Sequence, residues 1–335
     1  MKASAIAHSN IAFIKYWGRS AEHPPLYNIP LNDTVSMTKL GLEDDVHLKT
    51  LTTIAFTDDQ KKDMAYVNDE ALTGRGMERV ATIIDMLRES SDCELKFLMR
   101  SRNDFPTQAG MASSASGFAA LARAAASALG LEMNAEDLSK IVRIGSGSAA
   151  RSLHSGYVYF NRGTSHETSF AEQICDNDAF DIRAVIAVID ADRKKVTSDD
   201  GHASALTSPF NEARVMTSQK QAATIREAIL ERDFSSLGYI AEENCKYMHA
   251  VMMTSEPPLF YWQPDTLRVI KSVMRFREEG LECYFTIDAG PNVHCLCRPQ
   301  DMEELNRLIR NLEGVKRTIQ AKPGPGAYDT GQHLF

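Results

Sequence analysis

Apolar residues fall along this chain in two periods, and the stretches where each prevails lay out its elements. Ala3–Ile14 is almost unbroken apolar and predicts one buried strand. Further strands are predicted for Val35–Leu40, Asp45–Phe56, Glu94–Arg100 and Ala184–Asp190, and a β-rich run covers Cys283–Cys297. Met77–Glu89 instead carries Val80, Ile83, Ile84 and Leu87 at helical spacing, a core-facing stripe. Gly117–Leu129 is a small-residue helix with Gly130 placed to cap it. Asn134 and Asp137 form a capping pair ahead of a short helix that stops at Gly145. Pro209–Leu230, Phe234–Met248, Asp265–Arg277 and Asp301–Leu312 complete the helices. The Gly/Pro-rich tail from Lys322 reads as irregular. Strands and helices are interspersed without an internal repeat, which implies a mixed α+β fold.

The chain has 335 residues, enough for about two domains or one elaborate one. A net charge of −8 with no long basic block argues against nucleic-acid binding. No apolar run reaches transmembrane length, so no membrane partner is expected. The six cysteines form no Cys-x-x-Cys pair and suggest reduced thiols in a cytoplasm. Cys295 and Cys297 alternate and face one side of a strand. The nine histidines show no ligand spacing, so no protein metal site is expected.

Four stretches carry chemistry, and each also has an ordinary structural reading. Asp104–Gly117 (DFPTQAGMASSASG) runs from a predicted strand through a glycine turn into a helix start. That geometry presents free N–H groups and the positive helix end to an anion, with Ser113 and Ser114 as extra donors. A serine-capped core helix explains it equally well, and no Gly-Lys-Ser/Thr follows as in a Walker A loop. Lys15, Tyr16, Trp17, Gly18 and Arg19 make a plausible anion site, or a strand ending in a snorkelling lysine. Gly145–Ser152 joins two hydroxyls, Ser146 and Ser148, to Arg151, whose planar fork suits carboxylate or phosphate, or it is a flexible turn. Asp288 sits at a strand end before Ala289-Gly290-Pro291-Asn292, well placed as a base or as an Asx-turn residue.

Together these stretches resemble one family. NIAFIKYWGR with IPLNDTVSMT, the loop PTQAGMASSASGFAAL, RIGSGSAARS and YFTIDAGPN are similar to the motifs of the diphosphomevalonate decarboxylases, within the GHMP kinase superfamily. Tyr66-Val67-Asn68 resembles that family's hairpin, and Lys194, Lys195 and Ser198 its substrate-phosphate segment. The resemblance covers nearly the whole chain. It implies a GHMP-kinase fold, with a ribosomal-S5-like N-terminal half (1–180) holding the phosphate loop and a ferredoxin-like C-terminal half (181–335) holding Asp288. It implies a phosphorylated mevalonate as substrate, ATP and magnesium, and a homodimer. By resemblance, Asp288, Lys15 and Arg151 are catalytic, while Tyr16, Arg19, Ser146, Ser148, Lys194, Lys195 and Ser198 hold substrate. Gln108, Ala109, Gly110, Met111, Ala112, Ser113 and Ser114 cradle the nucleotide phosphates.

The reaction implied is phosphorylation of the tertiary 3-hydroxyl of a mevalonate 5-phosphate or 5-diphosphate, then loss of phosphate and CO2 to give an alkene. Two departures keep an alternative open. Gln108 stands where the family has glycine or alanine, and Asp199-Asp200 follow Ser198 where relatives carry an arginine or threonine. A relative that acts on mevalonate 3,5-bisphosphate without ATP would tolerate both. A non-catalytic GHMP protein would have lost Asp288, Lys15 or Arg151, and a sugar or homoserine kinase would lack the KYWG and DAGPN segments.

Overall fold

The computed structural model describes residues 1–105, 113–190 and 198–335, apart from the side chains of 198–200. Among the described residues the N-terminal part runs β1 (Lys2–His8), β2 (Asn10–Ile14), β3 (Thr34–Gly41), β4 (Lys49–Thr57), β5 (Met64–Val67), β6 (Glu70–Ala71), α1 (Gly74–Glu89), β7 (Lys96–Asn103), α2 (Ser113–Ala128), α3 (Ala135–Gly145), β8 (Tyr157–Phe160) and β9 (Ala171–Cys175). It continues through β10 (Arg183–Val188), α4 (Ser198–Ser204), α5 (Asn211–Glu231), α6 (Phe234–Thr254), α7 (Pro264–Glu278), β11 (Cys283–Thr286), β12 (Val293–Cys297), α8 (Met302–Arg310), β13 (Arg317–Pro323) and β14 (Tyr328–Asp329). No helix among the described residues is long and apolar enough to cross a membrane.

Two sheets carry the fold. One has the order β14-β1-β4-β7-β5-β6, and the other runs β11-β12-β10-β13-β3-β8-β9 with β2 also paired to β3. The predicted helical stripe of α1 is the buried one, and Val80, Ile83, Ile84 and Leu87 pack with the alanines of α2 against the first sheet. Each such aliphatic burial contributes about 1.5–3 kcal/mol. The small side chains of α2 bring its axis close to β1 and β4, and Gly130, at φ +69°, turns the chain beyond its end. Asn134 Oδ1 accepts from Asp137 N–H at 2.8 Å and starts α3. Asn68 and Asp69 both have positive φ and make the tight turn between β5 and β6.

Strands β10, β11 and β12 of the second sheet are buried on both faces. Ala184, Ile186 and Val188 of β10 meet α5 and α6, while Val185, Ala187 and Ile189 meet α7 and α8. Cys295 and Cys297 share the α7/α8 side, as their alternation predicts. This sheet unites the two halves, because β13 pairs with β3.

Two expectations are corrected. The apolar run Ala3–Ile14 is two strands in two sheets, not one. The switch falls at Ser9, whose N–H donates to Leu48 O and whose carbonyl accepts from Lys39 N–H, both at 2.8 Å. Burial on both sides of the switch keeps the sequence uniformly apolar and hides it. The tail from Lys322 is not irregular throughout: Lys322 and Pro323 close β13, and β14 pairs with β1 and covers an edge that would otherwise be open.

Candidate active site

Lys15 leaves the end of β2 fully buried. Its N–H donates to Asn244 Oδ1 of α6 at 2.8 Å. Its Nζ donates to Ala12 O at 2.6 Å and to Asp288 Oδ1 at 2.7 Å. Only 1% of the Lys15 side chain is exposed, against 28% for Asp288, so the pair opens outward on the acid side. Asp288 lies in the turn between β11 and β12. Asn292 ties that turn to the end of β10, accepting from Ile189 N–H at 2.8 Å and donating to Asp190 O at 3.0 Å. The Asp288 carboxylate is thus spent on Lys15, not on a local Asx turn. Burial opposes its charged form, but Lys15, then Lys39 and Arg151, outweigh this and hold the carboxyl below its usual range.

Arg151 lies in a 3-10 turn, Ala149–Leu153, and is 3% exposed. The glycine-serine stretch is therefore a packed turn rather than a flexible one. Nη1 donates to Thr34 Oγ1 at 3.2 Å and Nη2 to Asn10 Oδ1 at 3.3 Å. Asn10 is itself fixed, donating to Ser148 O at 3.0 Å and Ser152 Oγ at 2.8 Å. Arg151 Nε is buried without a partner among the described residues. Burial lowers the guanidinium to about 10, while Asp288 and Tyr16 pull the other way, so it stays charged at neutral pH.

The serines gather beside it. Ser146 Oγ lies 3.1 Å from Ser148 Oγ and 3.4 Å from Ser114 Oγ, which links this turn to the first turn of α2. Tyr16 OH donates to Asn28 O at 2.9 Å. Gly147 admits that ring, since a Cβ there would sit 2.5 Å from Tyr16 Cε1. Arg19 is held in an isolated bridge with Pro30. His202 of α4 accepts from Gly18 N–H through Nδ1 at 3.0 Å and packs on Tyr16 and Trp17 with ring centroids 4.6 and 4.8 Å away.

Ser113 and Ser114 open the 16-residue helix α2, so its N-terminal end, where a helix has N–H groups with no partner inside the helix, lies next to Ser146. An anion is favoured there by hydrogen bonding and by the helix dipole. Gln108, Ala109, Gly110, Met111 and Ala112 lie outside the described residues, as do Lys194 and Lys195. Ser198 opens α4, and its side chain lies outside them too. Among the described residues no cluster of histidine, cysteine and acids is arranged to hold a metal ion.

Several residues at this centre escape sequence reasoning. Asn10 and Thr34 orient Arg151, and Asn244 holds Lys15 from a helix expected to be scaffold. His249, also on α6, is buried and lowered to about 3, by burial first and then by Lys15. Lys39 and His294 are buried as well. The one signal for Lys39 was a lysine in the apolar phase of the β3 alternation Val35, Met37, Lys39.

Sequence and structural similarity point to one family. A model described as the diphosphomevalonate decarboxylase-like N-terminal domain matches residues 7–171. A second, the mevalonate 5-diphosphate decarboxylase C-terminal domain, matches 184–324. The chain belongs to the diphosphomevalonate decarboxylase family. The diphosphomevalonate decarboxylase of Candida albicans is 32% identical over 99% of both chains. The phosphomevalonate decarboxylase of Haloferax volcanii is 30% identical over 100% of both. A solved structure described as MDDEF in complex with MVAPP, AMPPCP and magnesium superposes with a TM-score of 0.89 at 36% identity, covering 99% of each chain. The α+β architecture is accordingly the GHMP-kinase fold of the diphosphomevalonate decarboxylase family.

Proposed function

We propose that this chain is an ATP-dependent decarboxylase of a mevalonate 5-phosphate ester, giving isopentenyl phosphate or diphosphate, phosphate, CO2 and ADP. The observation that carries the reading is the Lys15–Asp288 pair at 2.7 Å, opening outward beside buried Arg151 and the Ser146, Ser148 and Ser114 hydroxyls. Asp288 accepts the proton of the 3-hydroxyl or orients it, and it can do so because its carboxyl stays ionised. Lys15 holds that charge and offsets the negative charge that builds on the oxygen. Arg151, fixed by Thr34 and Asn10, grips the substrate carboxylate and aligns its C–C bond with the leaving group. Tyr16, Arg19, Ser146, Ser148, Lys194, Lys195 and Ser198 hold the 5-phosphate end. When bound, MgATP supplies the phosphoryl group that turns a poor tertiary leaving group into a good one. The start of α2, with Ser113 and Ser114, fits its phosphates, and residues 108–112 complete that cradle in this reading.

The complex with AMPPCP and magnesium supports nucleotide use over the ATP-independent alternative. Relatives at nearly equal identity act on the monophosphate and the diphosphate, so both esters belong to the proposal. A cytoplasmic homodimer belongs to it as well, and the six free thiols fit a reducing compartment. The test incubates the protein with mevalonate 5-phosphate, mevalonate 5-diphosphate and mevalonate 3,5-bisphosphate, each with and without MgATP. CO2 and ADP released together from a 5-phosphate ester is the expected result. CO2 from the bisphosphate alone, without nucleotide, would overturn it.

A further inference from the structure

We propose that Lys39 is a positioning residue for this reaction: with His294 it forms a buried basic layer behind the Lys15–Asp288 pair, and its charge readies the cleft for an anionic substrate. The inference rests on the functional reading above. Strand β3 turns Val35 and Met37 into the core shared with α5 and α6, and the period of two places Lys39 on that same face. Packing alone asks for an apolar residue there. Lys39 is instead wholly buried, and its Nζ finds no hydrogen-bond partner among the described residues. A buried ammonium without an acceptor is among the costliest groups a fold can carry. Such a group is retained where its charge serves a site.

The surroundings say which site. The charges that act on Lys39 are Asp288, which attracts, and Lys15, which repels. His294, on β12 in register with Thr286 and Ile186, is equally buried and has no partner on either ring nitrogen. Burial, then Lys39 and Lys15, keep it neutral. From the 3-10 turn comes Arg151, a third cation acting on Asp288. From α6 come Cys245, pushed up to about 11, and His249, both uncharged at neutral pH. Glu242 of α6 is engaged by Arg277. Among the described residues Asp288 thus stands as one carboxylate among Lys15, Lys39 and Arg151, a net of two positive charges when Lys39 is protonated. A substrate that brings a carboxylate and phosphoryl oxygens supplies the missing negative charge.

Burial lowers the Lys39 amine to about 7, so near neutrality it exchanges between charged and neutral forms. Anion binding favours the charged form, and Lys39 therefore takes up a proton as substrate enters. The charged form prevails below pH ~7, so its contribution to kcat/KM is present there and fades as pH rises.

The test compares wild type with Lys39→Met, and with Lys39→Leu as a second apolar variant. We expect the wild-type to variant ratio of kcat/KM to be on the order of tenfold below pH ~6 and to approach one above pH ~8.5, a tenfold ratio matching one pKa unit of interaction. Calorimetry of mevalonate 5-diphosphate binding at pH ~7.5, in buffers of different ionisation enthalpy, should show proton uptake in wild type and less in the variants. Both variants should unfold at a higher temperature than wild type, since an unpaired buried charge is gone. A ratio that is constant with pH, equal proton uptake, or loss of the fold in both variants would make Lys39 structural and overturn the proposal. A wild-type chain that neither turns over nor binds an ester removes the functional reading and this inference with it. Turnover with an unchanged pH profile removes the inference alone.

Discussion

The Lys15–Asp288 pair can be tested by a double-mutant cycle of Lys15→Met, Asp288→Asn and the two combined. At 2.7 Å and an effective dielectric constant of ~20, the gross attraction is about 332/(20 × 2.7), or ~6 kcal/mol. Desolvation takes back much of it, and removing one partner of a buried pair costs about 3–5 kcal/mol. Because 28% of the Asp288 side chain is exposed, each single variant should fall near the low end of that range. Asp288→Asn keeps an amide oxygen as acceptor beside Ala12 O but removes the negative charge that compensates the buried ammonium. Lys15→Met leaves the carboxylate, among the described residues, with Lys39 and Arg151 as its remaining cations. The double variant leaves neither charge stranded and should cost less than the sum of the singles by ~2–4 kcal/mol. Urea unfolding followed by tryptophan fluorescence measures the stabilities. Turnover should drop by about two orders of magnitude or more in every variant, and not multiplicatively in the double. In Lys15→Met the Asp288 carboxyl loses its main support and titrates higher. The acid limb of any residual activity should therefore move to higher pH. Stabilities that simply add, to within about 0.5 kcal/mol, would show that the two charges do not work as a unit.

Two further outcomes follow from the same centre. Arg151→Lys should lose at least ~100-fold in kcat/KM, because one ammonium cannot satisfy Thr34 and Asn10 and also grip a carboxylate; unchanged kinetics would place Arg151 outside the substrate contacts. His249 is lowered from 6.5 to about 3, so the unfolded chain binds its proton first and stability is lost as pH falls from 6.5 toward 3. Over that window His249→Gln should flatten stability against pH by up to about 1.4 kcal/mol per pH unit, and an unaltered slope in urea titrations would refute the assignment.

Much of this protein is legible in its sequence because much of it is locally determined. The stripe on α1, the cap at Asn134 and the alternation that puts Cys295 and Cys297 on one side each depend on residues a few positions apart. The stretches that carry the chemistry are local too. Asp288 in its turn, Arg151 after two serines and the serines at the start of α2 each admit an ordinary structural reading alone, and their joint resemblance to the motifs of one family is what singles them out.

The tertiary structure decided who meets whom. Lys15 and Asp288 are 273 positions apart and come together only because β2 runs alongside β3, in the sheet that also holds β11 and β12. A strand's period fixes which face a residue takes but not which strand lies beside it, and an apolar run buried in either sheet reads the same. That is why the switch at Ser9 and the pairing of β14 with β1 were hidden. The same reason hid the helpers of the site. Asn244 and His249 look like ordinary residues of a long helix until α6 is laid against β2 and the Asp288 turn. Lys39 showed only as a break in an apolar phase, and only the packed sheet makes it a charge buried behind a carboxylate. Long-range pairing sets the local dielectric, so the charge states at this centre belong to the fold rather than to any segment of the chain.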